Sequence, residues 1–166
     1  TYIGDPIPNM TLGLNISLNY KGFDFLAYAY ASLGNEIVRN YERTQPNVNK
    51  LDYNLDRWIW EGSSTEVPRV TNGATTNKVF SDFYVEDGSF LRLQNVQLGY
   101  SLPENITQKV KLDKVRLYVG VTNVFTLTNY MGFDPAASTG APIGGGIDYG
   151  FYPAARTYTF GLNLTL

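Results

Sequence analysis

The feature that most constrains the fold is the strict alternation of side chains at residues 156–166. Large apolar side chains take every second position: Tyr158, Phe160, Leu162, Leu164 and Leu166. A period of two is that of a β-strand, and about ten residues suffice for a tilted strand to cross a bilayer. A half-buried strand of a soluble sandwich shows the same alternation. The rest of the chain must therefore distinguish the two.

Four further segments show strand character, and the first of them repeats the alternation of the last. The predicted strands are 10–20, 23–33, 89–101, 115–125 and 155–166. In the second strand we place Phe23, Phe25, Ala27, Ala29 and Ala31 on the outward face. The pattern predicts an all-β fold of antiparallel transmembrane strands.

The connections between these strands alternate in length. Residues 21–22 and 102–114 form short connections, whereas 34–82 and 128–153 are predicted external loops rich in Gly, Pro and polar residues. Successive connections of antiparallel strands lie at opposite ends, so both long loops lie together. This segregation is typical of outer-membrane barrels.

Composition excludes several classes of function. The chain has no Cys, no His and a formal net charge of −2, without a basic run. We therefore expect no nucleic-acid partner, no cofactor, no metal and no enzymatic activity. We interpret five acidic residues as solvated loop charges rather than a calcium site: Asp82, Glu86, Asp87, Asp134 and Asp148.

Five strands are too few to close a barrel, because small closed barrels need about eight. An open sheet would leave unpaired edges, which lipid does not tolerate. We therefore expect the chain to form the end of a larger barrel, with its own first residues inside an external loop.

Several motifs in order carry a family resemblance. They lie at 4–6, 19–24, 57–58, 68–69, 85–93, 94–103, 116–118, 123–126, 132–135 and 152–158. Together they resemble the C-terminal part of the barrel of SusC/RagA-like TonB-dependent outer-membrane transporters of Bacteroidetes. Two positions depart from that pattern: Leu166, where Phe is common, and Ala136, where an acidic residue is common.

The resemblance implies a barrel of about 22 strands in the cell outer membrane, in contact with its lipid. It implies an N-terminal plug, absent from this chain, a SusD-like lipoprotein lid and energy from the TonB complex. The imported substrates would be oligosaccharides or peptides.

Aromatic residues in the loops are the candidate contacts with a substrate or partner: Trp58, Trp60, Tyr149, Phe151 and Tyr152. Flat rings can stack on sugars or anchor an interface. The alternative is that they pack one loop against another.

The last strand has a second candidate role as a C-terminal assembly signal, carried by Tyr158, Phe160, Leu162, Leu164 and Leu166. The barrel assembly machinery would recognise it by strand addition, and a fragment could be captured on assembly or secretion machinery. The rival hypothesis is a secreted soluble all-β carbohydrate-binding module, in which Leu14 and Leu162 would pack against a second sheet.

Overall fold

The structure, a computed structural model, describes residues 3–42, 48–71, 75–136 and 145–165. Its main element is a five-stranded antiparallel sheet with the strand order β1-β2-β5-β6-β8. These strands are β1 Met10–Tyr20, β2 Phe23–Leu33, β5 Phe90–Ser101, β6 Lys114–Thr128 and β8 Thr157–Thr165. The predicted all-β, antiparallel fold class is confirmed.

Three short strands form a second sheet with the order β4-β3-β7. They are β3 Glu36–Arg39, β4 Val85–Asp87 and β7 Ile147–Asp148. β3 pairs antiparallel with β4 and parallel with β7. The strands β3 and β7 lie inside the predicted loops at 34–82 and 128–153, which is a correction to that prediction. Such short strands carry too little periodicity to be seen in sequence.

Among the described residues, helix occurs only in short pieces. A single turn of α-helix, α1 at Glu104–Thr107, lies in the connection between β5 and β6. Within the described residues, no helix is both long and apolar enough to cross a membrane. The 3₁₀ turns are Asp52–Asp56, Thr76–Lys78, Asp82–Tyr84 and Gln108–Val110.

The turn between β1 and β2 requires a left-handed backbone at two successive residues. Lys21 has φ 45° and Gly22 has φ 87°, the combination that closes a two-residue hairpin with the correct twist. The carbonyl of Gly22 accepts a hydrogen bond of 2.8 Å from the backbone N–H of Ser101. The turn is therefore attached to the end of β5.

The pairing register puts residues of one kind side by side across the sheet. One row joins Ile16, Ala27, Val96, Val121 and Tyr158 from β1 to β8. Because side chains alternate along each strand, rows of this kind form one face, here called the apolar face.

The adjacent row joins Asn15, Tyr28, Asn95, Thr122 and Thr157. It lies on the opposite face, here called the polar face.

A β-bulge keeps the apolar face continuous where the sequence of β5 changes phase. Leu93 and Val96 are three residues apart, so strict alternation would put them on opposite faces. The register shifts between Leu93 and Asn95, and Asn123 of β6 has φ 54° beside the shift. An extra residue at a bulge resets the alternation, so Leu93 pairs with Phe125.

Several large side chains on the apolar face are open to solvent rather than packed. Leu14 is 58% exposed and Leu162 is 54% exposed. No second sheet within the described residues covers either one. The rival hypothesis required both to be buried against such a sheet, so it is wrong on this point.

We expect opposite outcomes for arginine on the two faces of β1. Leu14→Arg should lower the amount of complete protein inserted in the outer membrane, because arginine near mid-bilayer costs about 2–4 kcal/mol on a lipid face. Asn15→Arg, one residue along on the polar face, should insert nearly as well as the wild type. Quantifying both proteins in purified outer membranes tests this; equal loss would contradict the face assignment.

Candidate functional site

The long connections form an ordered layer beyond the sheet, here called the loop layer, at residues 36–42, 83–87, 130–134 and 146–152. Its backbone hydrogen bonds join distant parts of the chain. The N–H of Val38 donates to the carbonyl of Gly146 at 2.7 Å, and the N–H of Asn40 donates to that of Asp148 at 2.9 Å. The first and last long connections are thus one unit.

A buried arginine holds the layer together from within. Arg39 is 3% exposed, and its Nη1 lies 2.7 Å from Oε1 of Glu86. Its Nε lies 3.0 Å from Glu42, an ion pair without hydrogen-bond geometry. The guanidinium also lies 4.7 Å from the ring centroid of Tyr53 and 5.2 Å from that of Phe83. A paired charge enclosed by rings can be buried where an unpaired one could not.

A buried carboxylate organises the last part of the layer. Asp148 is fully buried, and the hydroxyl of Tyr130 donates to its Oδ2 at 2.7 Å. The backbone N–H groups of Gly150 and Phe151 donate to Oδ1 at 2.8 and 3.2 Å. Burial and the nearby carboxylate of Asp148 raise the pKa of Tyr130, so its hydroxyl stays protonated and remains a donor.

Tyr41 packs beside this pair. Burial, with a contribution from Glu86, raises the pKa of Tyr41 to about 12. Its ring centroid lies 6.2 Å from that of Phe133, within the range of aromatic pairs. A Cβ at position 150 would lie 3.1 Å from the Cβ of Tyr41, and Gly150 has φ 84°. Glycine therefore fits a tight, left-handed position here.

Residues 149–152, here called the aromatic tip, project from this base. Tyr149 and Phe151 make an edge-to-face pair with centroids 6.3 Å apart. Both are exposed, and Tyr152 is 93% exposed. The backbone that carries these rings is fixed by Asp148, so the tip is displayed without being buried.

The two tryptophans lie apart from the tip. Trp58 is half-buried, and its backbone N–H donates to the carbonyl of Val67 at 2.9 Å. Trp60 is 63% exposed. Over the described part of the chain, no ring contact joins either one to the tip. The structure therefore brings together Tyr149 and Phe151 but not the whole predicted set.

Three acidic residues interpreted as solvated charges are instead structural partners, which corrects the sequence analysis. Glu86 pairs with Arg39 and also accepts the N–H of Met131 at 3.0 Å. Asp134 pairs with Arg92 of β5, and Asp148 accepts the bonds described above. Their oxygens are occupied by protein donors. No group of three or more candidate ligand side chains for a metal ion occurs among the described residues.

The predicted assembly signal lies on β8. Four of its residues are exposed on the apolar face: Tyr158, Phe160, Leu162 and Leu164. Leu166 lies outside the described residues.

Comparison with known proteins identifies relatives of the whole segment. TonB-dependent receptor P3 of Formosa agariphila is 40% identical over 98% of this chain. TonB-dependent receptor SusC of Bacteroides thetaiotaomicron is 32% identical over 96% of it. The structure of the RagAB peptide importer in its open-open state aligns over 96% of this chain with TM-score 0.75 and 27% identity. Over nearly its whole length, this chain is similar to a segment of SusC/RagA-like TonB-dependent receptors.

The chain spans only part of such a receptor. It covers 17% of the Formosa receptor, 15% of SusC and 17% of the aligned RagAB chain. No protein-family model matches the sequence. The predicted resemblance to SusC/RagA-like receptors is confirmed.

Sequence reasoning missed the residues that organise this receptor segment. Sequence patterns do not identify Arg39, Tyr41 or Tyr130, and they predict Asp148 to be a solvated loop charge. Their partners are distant in sequence, as in the pair of Arg39 and Glu86, 47 positions apart. One sequence signal could have indicated this region, namely the family motif that contains Phe133 and Asp134.

Removing the buried carboxylate should loosen the aromatic tip. Asp148→Ala leaves the hydroxyl of Tyr130 and two N–H groups without a partner, a loss of about 1–3 kcal/mol each for buried groups. Amide hydrogen exchange at Gly150 and Phe151 should rise about tenfold or more. Tyr152→Ala, which removes only an exposed ring, is the control and should leave both amides unchanged. Unchanged exchange in Asp148→Ala would contradict the role of Asp148.

Alkaline pH should open the loop layer. Tyr41 has a pKa of about 12 in the fold against 10.0 in an unfolded chain, so its contribution to stability is complete below pH 10. It is lost as pH rises from 10 to 12, because the unfolded phenol loses its proton first. Protease resistance of the layer should fall over that interval. It should fall less in Tyr41→Phe, and a pH dependence identical to that of the wild type would contradict this assignment.

Proposed function

We propose that this chain forms part of the wall and external loops of an outer-membrane nutrient importer of the TonB-dependent type. The observation that carries the proposal is the continuous apolar face across five paired strands in a chain related to SusC. Such a face is unfavourable in water and favourable against hydrocarbon. The proposed location is the cell outer membrane.

The edges of the sheet support a larger barrel. β1 and β8 each have one neighbour in the described sheet, so each leaves a row of backbone groups unpaired. In lipid such groups need partners within the protein. We propose that further strands of the same receptor pair with β1 and β8, and that this chain supplies about the last five strands.

The proposed cargo is an oligosaccharide or a peptide. The RagAB structure is that of a peptide importer, and exposed rings such as those of the tip suit sugar faces and apolar peptide side chains equally. In this proposal a SusD-like lipoprotein covers the external loops, and the plug and TonB contacts belong to other parts of the receptor. The proposed role is transport, not catalysis.

In this proposal the aromatic residues of the loops contact the cargo or the lipoprotein lid: Trp58, Trp60, Tyr149, Phe151 and Tyr152. Exposure of the tip above a fixed backbone supports this for three of them. A rigid, exposed ring loses little conformational entropy on binding.

We also propose that β8 acts as an assembly signal, which the barrel assembly machinery recognises. Its support is the exposed edge and the unbroken apolar set from Tyr158 to Leu164. An isolated segment of this kind could be held on assembly or secretion machinery by the same strand addition.

Fractionation of cells that express the complete protein tests the proposal. We expect the protein in the outer membrane, extractable only with detergent, and loss of uptake of one class of oligosaccharide or peptide when its gene is deleted. A monomer that remains in solution without detergent would overturn the proposal in favour of a secreted binding module.

Truncating the aromatic tip should weaken cargo binding without affecting assembly. Tyr149→Ala combined with Tyr152→Ala should reduce affinity about tenfold for the preferred member of a panel of defined oligosaccharides and peptides, because buried aromatic anchors contribute strongly to binding. Leu55→Ala, which removes another exposed apolar loop side chain, is the control. Equal affinities in the two variants would exclude the tip as a contact.

A further inference from the structure

Five residues on the polar face form a line of side-chain contacts across four neighbouring strands. They are Asp24 of β2, Gly99 of β5, Arg116 and Tyr118 of β6, and Gly161 of β8. This set is here called the transverse lock. It lies towards the short-turn end of the sheet.

The first contact passes over an intervening strand. Nε of Arg116 donates to Oδ1 of Asp24 at 2.8 Å, and Nη2 donates to Oδ2 at 2.5 Å. β2 and β6 are not neighbours, because β5 lies between them. A Cβ at Gly99 would lie 2.5 Å from both the guanidinium and the carboxylate. The absence of a side chain at Gly99 therefore lets the ion pair span β5.

The second contact joins β6 to β8. The guanidinium of Arg116 lies 5.0 Å from the ring centroid of Tyr118. Tyr118 pairs directly with Gly161 in the register of β6 and β8. A Cβ at Gly161 would overlap two ring atoms and the hydroxyl oxygen of Tyr118. The ring thus occupies the space that a Cβ at position 161 would take.

This requirement is specific to Gly161 among glycines paired across these strands. Gly120 lies two residues from Tyr118 on the same face and pairs with Thr159. A Cβ there would meet nothing closer than 3.8 Å, an ordinary van der Waals separation. An added methyl group is therefore accommodated at Gly120 without any movement, whereas at Gly161 the Tyr118 ring would have to move.

We propose that the transverse lock selects the register of β8 against β6 during assembly of the barrel. Alternation of apolar and polar residues excludes slips of one residue, because they turn the apolar set inward. It does not exclude slips of two, which keep every side chain on its own face. A slip of two places Thr159 or Asn163 opposite Tyr118, where either side chain meets the ring.

The lock therefore supplies information that the hydrophobic pattern lacks. Arg116 pairs with Asp24 of β2 and contacts the Tyr118 ring, so it fixes the position of the ring relative to β2. The last strand is thereby aligned with three other strands at once. This inference rests on the proposed membrane barrel, since a slipped last strand would misalign the edge at which the barrel closes.

Single-methyl variants of the complete receptor, produced in its own host, test the lock. The readout is the fraction in the outer membrane that keeps its folded mobility in SDS until heated. Gly161→Ala should lower that fraction at least fivefold, whereas Gly120→Ala should stay within twofold of the wild type. Tyr118→Phe, which keeps the ring, should also stay within twofold.

A double variant shows whether the loss of folded protein comes from contact with the ring or from replacing a glycine in itself. Tyr118→Ala removes the ring that a methyl at position 161 would strike. Adding Gly161→Ala to Tyr118→Ala should therefore cause less than a twofold further loss, a coupling expected only of residues in contact. Additive losses, or equal losses in Gly161→Ala and Gly120→Ala, would overturn the lock.

Failure of the lock is distinguishable from failure of the proposed function. If the wild-type receptor is absent from the outer membrane, the proposed function fails. If the wild type is present and the two alanine variants behave alike, the barrel assignment stands and only the lock is wrong.

Discussion

The structure depends on a register that satisfies the backbone and sorts the side chains at the same time. In hydrocarbon every backbone N–H and C=O needs a partner within the protein, so strands must pair along their length. The same pairing must keep every apolar side chain on one face. The bulge between Leu93 and Asn95 shows how closely the two requirements are linked. Without it, Leu91 and Leu93 would turn to the polar face while Val96 and Leu98 remained on the apolar one.

The loop layer meets a different requirement, because it lies beyond the sheet and lacks the sheet's long ladders. Its arrangement is set by a few buried polar groups that are paired with distant parts of the chain. Removing one partner of such a pair is costly, while the intact pair contributes specificity more than stability. Arg39 and Asp148 therefore determine the positions of the loops, and Asp148 fixes the backbone of the aromatic tip. The parallel pairing of β3 with β7 extends that definition to both long connections.

The sequence predicted the parts of the fold that periodicity determines. The five long strands, their faces and the turn at Lys21 follow from local patterns of two to twelve residues. β6 nevertheless extends to Thr128, beyond the predicted end at 125, because the bulge at Asn123 interrupts its alternation without ending its pairing.

What periodicity could not predict are contacts between single residues far apart. Arg116 and Asp24 are separated by 92 positions, and neither position is unusual in its own strand. The same holds for Tyr130 and Asp148, since the local sequence predicts only a solvated loop charge at Asp148. A charge is recognisable as buried only once its partner and the surrounding rings are placed. The five candidate aromatic residues were chosen by type alone, and type could not separate the tip from Trp58.

The two ends of the sheet are therefore aligned by different means, and the difference fits the work proposed for each. At the long-loop end, alignment is made by buried pairs that also present the exposed tip, so shape there can change with a few loop substitutions. At the short-turn end, alignment is made by a ring seated on a glycine and an ion pair above a glycine. At either glycine a single added methyl group would force the neighbouring side chains to move. Such a sheet can vary what it binds while keeping unchanged the register in which it closes.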